Sequence, residues 1–242
     1  MDYAAIYEKI VAWLREAVTK ANAKGFVVGM SGGVDSALTA VLCKAACPES
    51  TLGLLLPIKS NPKDLEDARL VAREYKIPTR AIELSGIFEL FLGEVTGWGA
   101  RESTPLAVAN LKPRLRMTAL YYVANEYNYL VVGTGNATEL ALGYFTKYGD
   151  GGVDLLPLGN LSKEEVYGLA RYLKLPAGIL TKAPSAGLLP GQTDEGELGY
   201  SYQALEEVLQ GKGGDPEVRA FVEKRRRVNR HKLAPPPLAP LT

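Results

Sequence analysis

With 242 residues and 47% hydrophobic content, the chain can bury one substantial core and sits at the large end of what a single domain reaches. Its 28 Lys and Arg against 27 Asp and Glu leave a net charge of +1, which argues against a nucleic-acid coat or a polybasic membrane surface and points to a small-molecule partner. Asp2, Glu8, Lys9, Arg15 and Glu16 interrupt the apolar positions of the first segment, and no apolar run approaches the roughly 20 residues of a spanning helix, so a cytoplasmic protein without leader or membrane partner is expected.

After an amphipathic helix over Met1 to Lys20, the apolar run Gly25 to Met30 predicts a strand, Ser31-Gly32-Gly33 a loop, and Val34 to Ala46 a helix. The same order recurs. Thr51 to Leu56 reads as strand, Asp64 to Tyr75 as helix, Thr79 to Leu84 as strand, Leu111 to Tyr127 as helix and Tyr129 to Gly133 as strand. Short strands alternating with helices predict an α/β fold: a doubly wound parallel sheet with helices on both faces, in one domain over 1–242. Cys43 and Cys47, four apart on one helix with no His or Cys group nearby, read as reduced buried thiols.

Residues 143–160 are rich in Gly and Asp and form a candidate binding loop. Ser162 then caps another helix, with Glu164 and Glu165 in its first turn. Two prolines and three glycines make Lys182 to Gly196 a candidate lid. A basic helix over Lys224 to Arg230 leads through His231 and Lys232 to a Pro-rich tail, 234–242, that cannot continue it.

In such sheets ligands bind beyond the carboxyl ends of the strands, where Gly29 to Ser36 and Gly133 to Glu139 both fall. Gly29, Met30, Ser31, Gly32, Gly33, Val34, Asp35 and Ser36 join a strand to a helix, so backbone N–H groups and the helix N-terminus face an anion. The loop lacks the lysine of the Walker sequence. Asp35 would repel a phosphate by itself, and its presence makes sense if Mg²⁺ bridges carboxylate and phosphate oxygens.

The hexapeptide SGGVDS resembles the PP-loop of the ATP pyrophosphatase superfamily, whose members cleave ATP between the α- and β-phosphates. The run from Gly133 to Glu139, the block GYFTKYGDGGVDLLPL from Gly143, and the stretches Asn110 to Met117, Lys182 to Ala186 and Asp194 to Tyr200 resemble the NAD synthetases of that superfamily. The resemblance implies a Rossmann-like fold and a C–N ligase of NAD biosynthesis. Such an enzyme amidates deamido-NAD with ammonia through an adenylated intermediate, giving NAD, AMP and diphosphate. It implies Asp35 and Glu139 as Mg²⁺ ligands, Thr134, Lys163 and Ser185 as ATP contacts, and Arg114, Lys147, Asp154, His231 and Lys232 as deamido-NAD contacts. Asp35, Lys163 and Asp154 would then be catalytic, Asp154 either deprotonating ammonium or only touching substrate.

About 25 residues precede the first strand, too few for a glutaminase domain, so free ammonia is the expected nitrogen donor unless a separate glutaminase subunit supplies it. The resemblance also implies a homodimer through the helix over Leu111 to Tyr127, whose Leu115, Leu120, Tyr121, Tyr122 and Val123 give it apolar surface on more than one side. Another PP-loop amide ligase, a tRNA-modifying enzyme and an ATP-binding module without catalysis are the competing readings. The neutral charge balance opposes the second, and Glu139 with the GYFTKYGDGGVD loop opposes the third.

Overall fold

Four strands, β1 (Gly25–Gly29), β2 (Thr51–Leu55), β3 (Thr79–Ala81) and β4 (Tyr129–Val132), pair in parallel in the order β3-β2-β1-β4 in a computed structural model. The structure describes residues 1–96, 104–185, 187–188 and 191–240, so Ala186, Leu189 and Pro190 of the 182–196 segment and the end of the 234–242 tail lie outside the described residues. Phe26 lies opposite Thr51 on one side and Leu130 on the other, which makes β1 a central strand. The chain moves outward from β1 to β3 and returns on the opposite side as β4. The crevice at the carboxyl end of the β1/β4 pair is therefore the topological switch point, where a doubly wound sheet binds its ligand.

Alternate residues of the central strands feed the two faces of the sheet. Phe26 and Val28 join the core under α1 (Tyr3–Lys20), α2 (Val34–Ala46), α3 (Pro62–Glu74), α7 (Lys163–Tyr172) and α8 (Ala177–Leu180), with Leu14, Leu38, Val71, Leu169 and Ile179. Val27 and Leu54 join the opposite core under α4 (Ser85–Thr96) and α5 (Pro105–Tyr127), with Phe88 and Ala124. Leu38 is fully buried, so its truncation to Ala costs about 2–5 kcal/mol and would loosen the helix whose N-terminus forms the phosphate loop.

A third cluster lies beyond the strand ends. Leu142 of α6 (Ala137–Leu142), Leu198 of α9 (Asp194–Leu198), Leu205 of α10 (Tyr202–Leu209) and Val218 and Val222 of α11 (Pro216–Leu233) pack together.

Several boundaries differ from the sequence expectations. β3 ends at Ala81 because Leu84 turns into the core, although Ile82 and Leu84 still donate backbone hydrogen bonds to Leu55 and Pro57 at 2.9 and 3.0 Å. α5 starts at Pro105, capped by the Thr104 hydroxyl, and runs through Pro113. α11 starts at Pro216 behind the Asp215 cap rather than at Lys224. α4 and α10 were not anticipated as elements. The apolar set on α5 also resolves differently: Leu115, Leu120, Tyr121 and Val123 pack against this chain's own sheet, and only Tyr122, 71% exposed, points outward. Both cysteines are free, and burial pushes both thiols above their ordinary range. Among the described residues no helix is long and apolar enough to cross a membrane.

Candidate active site

A cleft of about 810 Å³ opens above the carboxyl ends of β1 and β4. Its floor is the turn from β1 into α2. Gly32 takes φ +81°, and a Cβ there would collide with the Asp64 carbonyl oxygen, so this position accepts only glycine. Gly33 caps α2 without a side-chain hydrogen bond, which leaves N–H groups in the first turn of a 13-residue helix available to an anion. The Ser36 hydroxyl donates to the Gly33 carbonyl at 3.0 Å and accepts from the Ser31 N–H at 3.1 Å, setting the curvature of the loop.

Three charged groups meet beside that floor. The Lys163 ammonium, on a side chain only 4% exposed, lies 2.6 Å from Asp35 Oδ2 and 3.6 Å from Glu139 Oε1. Asn136, fully buried, donates from Nδ2 to Asp35 Oδ1 at 3.0 Å and closes a capping box with Glu139 at the start of α6. One asparagine thus aligns both carboxylates. Burial and the neighbouring Asp35 push the Glu139 carboxyl up to about 8, against the pull of Lys163. Burial disfavours the Lys163 cation, but Asp35 and Glu139 outweigh it and hold its proton above the ordinary lysine range.

Described residues of the 182–196 segment line the cleft and are tied to two other helices. Lys182 pairs with Asp64 at 2.6 Å and Asp67 at 3.1 Å and donates to the Gly32 carbonyl at 3.2 Å. On the far side Lys112 of α5 donates to the Leu188 carbonyl at 2.6 Å. Between these ties Ser185, in the cleft lining, donates from Oγ to the Gln192 carbonyl at 2.6 Å. Asp194, buried, accepts from Tyr202 Oη at 2.9 Å and faces the same space; burial raises its proton affinity despite Lys163 and Tyr202.

Of the residues named from sequence, Gly29, Met30, Ser31, Gly33, Val34, Asp35, Ser36, Thr134, Glu139, Lys163, Ser185 and Lys232 line this cleft. Lys232 braces its wall by donating to the carbonyls of Gly143 and Phe145, each at 2.7 Å. Gly32 belongs to the turn that forms the floor without itself lining the cleft, and Arg114, Lys147, Asp154 and His231 stand outside the lining. Asp154 accepts from Tyr121 Oη at 3.0 Å and from the Val131 N–H at 2.8 Å, which makes it an anchor between its loop, α5 and β4. Lys147 donates to the His231 carbonyl at 2.6 Å, and the imidazole of His231 is exposed. Arg114 is exposed on α5.

Arg116, two residues further along α5, does line the cleft, donating from Nε to the Leu56 carbonyl at 3.0 Å. Residues i and i+2 of a helix face nearly opposite directions, so of these two arginines only one can point inward. The NLKPRLRM stretch contained that alternation, but not the direction of the sheet. Lys182 was also in view as part of KAPSA without a role. Its partners Asp64 and Asp67 carry no motif, and only the packing of α3 brings them near.

A family model described as NAD synthase matches residues 6–236. The chain is 52% identical over 225 residues, 93% of each sequence, to the NH(3)-dependent NAD(+) synthetase of Carboxydothermus hydrogenoformans. Among solved structures, the NMN synthetase from Francisella tularensis superposes with a TM-score of 0.94 at 37% identity over 100% of both chains. The NH3-dependent NAD synthetase from Campylobacter jejuni gives a TM-score of 0.85 at 32% identity, over 99% of this chain and 100% of that one.

Proposed function

The chain belongs to the NAD synthase family, and on that premise we propose how its cleft joins ammonia to the nicotinate carboxylate of deamido-NAD. It is a C–N ligase of NAD synthesis that uses ATP as co-substrate. The observation that carries the assignment of roles is the Lys163 ammonium, held between Asp35 and Glu139 directly beside a helix N-terminus built for phosphate.

The nicotinate carboxylate attacks the α-phosphorus of ATP, the bond to the β-phosphate oxygen breaks, and pyrophosphate leaves. Charge grows on that leaving group, and the N–H groups of the Gly29 to Ser36 turn with the Lys163 ammonium are fixed donors placed to receive it. Ammonia then attacks the acyl carbon of the adenylate, AMP departs with the bonding pair, and the nitrogen releases a proton. A carboxylate is already a competent nucleophile, so the first step needs alignment and charge neutralisation more than a strong base. Thr134 and Ser185 line the ATP side of this reading, and Arg116 extends it toward Ser60. The position of Asp154, with both oxygens engaged outside the cleft, gives no support to its acting as proton acceptor for ammonium.

Asp35 and Glu139 suit a hard divalent cation. Two carboxylates converge on one lysine, the geometry of a paired hard-oxygen donor set. Mg²⁺ is commonly held by one or two carboxylates plus substrate phosphates, and Asp35 and Glu139 would supply those two carboxylates. Bound there, Mg²⁺ would neutralise phosphate charge.

A homodimer is part of this reading. Its support is the apolar surface of α4, where Ile87, Leu90 and Phe91 are exposed, and of α5, where Leu106 and Tyr122 are. Arg114, Lys147 and His231, outside this chain's cleft, would then meet the pyridine nucleotide at the junction of two copies.

A second reading, amidation of the nicotinate mononucleotide to NMN, is favoured by the superposition on the Francisella tularensis NMN synthetase. Both are tested by measuring AMP and amidated product from ATP, Mg²⁺ and ammonium with each nucleotide in turn. Stoichiometric NAD and AMP from deamido-NAD supports the first reading. A kcat/KM at least tenfold higher for the mononucleotide transfers the assignment to the second, and no AMP with either sinks both.

A further inference from the structure

Glu206 is buried on α10 at 5% exposure, and one of its oxygens serves two helices of the site. Its Oε1 accepts from the Thr138 hydroxyl and from the Lys163 backbone N–H, each at 2.6 Å. Thr138 immediately precedes Glu139 on α6, and Lys163 is the first residue of α7. The N-terminal N–H groups of a helix have no partner within it. In α7 the Ser162 capping box takes that of Glu165, while Glu206 takes that of Lys163, where the helix dipole also favours a carboxylate.

α10 holds the same lysine at its other end. Tyr202 lies four residues before Glu206 and so on the same helical face. Its ring lies 5.2 Å from the Lys163 ammonium, while its hydroxyl reaches Asp194 at the end of the 182–196 segment. Lys163 is gripped at backbone and at ammonium by two side chains of one helix. A separate backbone bond, Ala137 N–H to Leu161 carbonyl at 2.8 Å, joins α6 to the α7 approach but fixes neither Glu139 nor the lysine side chain.

We propose that Glu206 is a positioning residue that sets the spacing between Glu139 and Lys163 by bridging α6 and α7 through one carboxylate oxygen. It touches neither nucleotide and acts through the two groups it holds. The proposal rests on the reading of Asp35, Glu139 and Lys163 as the Mg²⁺–ATP site.

Three variants test it. E206Q keeps an acceptor oxygen at the same place but removes the charge, E206A removes both bonds, and T138V cuts only the bond to α6. Binding of Mg²⁺ with a non-hydrolysable ATP analogue is measured by calorimetry, alongside kcat, KM for deamido-NAD and the Mg²⁺ concentration giving half-activation. E206A is expected to lower kcat and Mg²⁺ affinity by about 10–100-fold, as loss of partners behind metal ligands commonly does, with KM for deamido-NAD within about threefold. T138V raises the Mg²⁺ requirement with a smaller loss of kcat, and E206Q returns both quantities to within about threefold of the wild type.

A folded E206A with wild-type Mg²⁺ affinity and kcat overturns the bridge, as does an E206Q as impaired as E206A. Should E206A fail to fold, T138V decides, and an unchanged Mg²⁺ requirement in it overturns the proposal. If the wild type makes no NAD, the functional reading falls, while calorimetry still reports on the bridge.

Discussion

The cluster around Lys163 and the outer set of Arg114, Lys147, Asp154 and His231 use the same kinds of charged side chain, yet the fold holds them in opposite ways. Asp35, Glu139 and Lys163 are under one-fifth exposed, and each is fixed by neighbours: Asn136 of the α6 cap on Asp35, the capping box of its own helix on Glu139, and Glu206 and Tyr202 of α10 on Lys163. Of the outer residues, Lys147 rests on the His231 carbonyl and Asp154 is pinned by Tyr121 and Val131, but none of the four lines the cleft. Low local dielectric makes the inner contacts strong and makes any unpaired member costly. Arg114, Asp154 and His231 are exposed and Lys147 is half-buried, so solvent and salt screen their charges.

The largest expected effect is on the inner cluster. K163M should reduce kcat/KM for NAD formation by about 10³-fold, since it removes a fixed cation from the leaving pyrophosphate. A loss below tenfold would erase the contrast between the two regions. N136A removes both the α6 cap and the donor to Asp35, so thermal unfolding should show a loss of about 1–2 kcal/mol. The same variant should lose about 10–100-fold in activity.

Glu139 gives a pH test. Its carboxyl binds its proton up to about 8 in the fold, against an ordinary 4.5, so the stability it confers on the ligand-free protein is complete below 4.5 and is lost as pH rises through 8. Mg²⁺ needs the ionised form, so its affinity should climb over the same interval. Unfolding curves and Mg²⁺ titrations from pH 5 to 9 check both slopes, and E139Q should flatten both. Persistence of the slopes in E139Q would move the titration to another group.

The smallest effects belong to the outer set. R114A and H231A should each raise KM for the pyridine nucleotide by no more than about fivefold with kcat retained, the scale of an exposed charge contact. A loss of kcat in H231A matching that of K163M would show the two regions to be one site.

Much of this was legible before any coordinates. The strand, glycine turn and helix from Gly25 to Ala46 depend on local rules of periodicity and glycine geometry, and α2 keeps the predicted bounds. Ser162 caps α7 as its position before Glu164 and Glu165 implied. The resemblance named Asp35, Glu139 and Lys163, which the fold brings within a few ångströms although Asp35 lies more than a hundred residues from the other two. Glu206 escaped because no local pattern distinguishes a buried carboxylate on α10 from a solvated one, while Asp194 and Lys182 lie in stretches that carry the resemblance but reveal no partner by themselves.

By itself, the sequence determined the alternation of strands and helices and the phosphate turn, because these follow from short-range sterics and hydrogen bonding, while Glu139 and Lys163 entered through the resemblance. Only the tertiary structure decided which arginine of α5 faces inward, that Asp154 anchors β4, that α5's apolar residues largely pack within the chain, and that one oxygen of Glu206 joins two helices. Those facts depend on how the helices rotate against the sheet, and that rotation is set by packing of residues far apart in the chain.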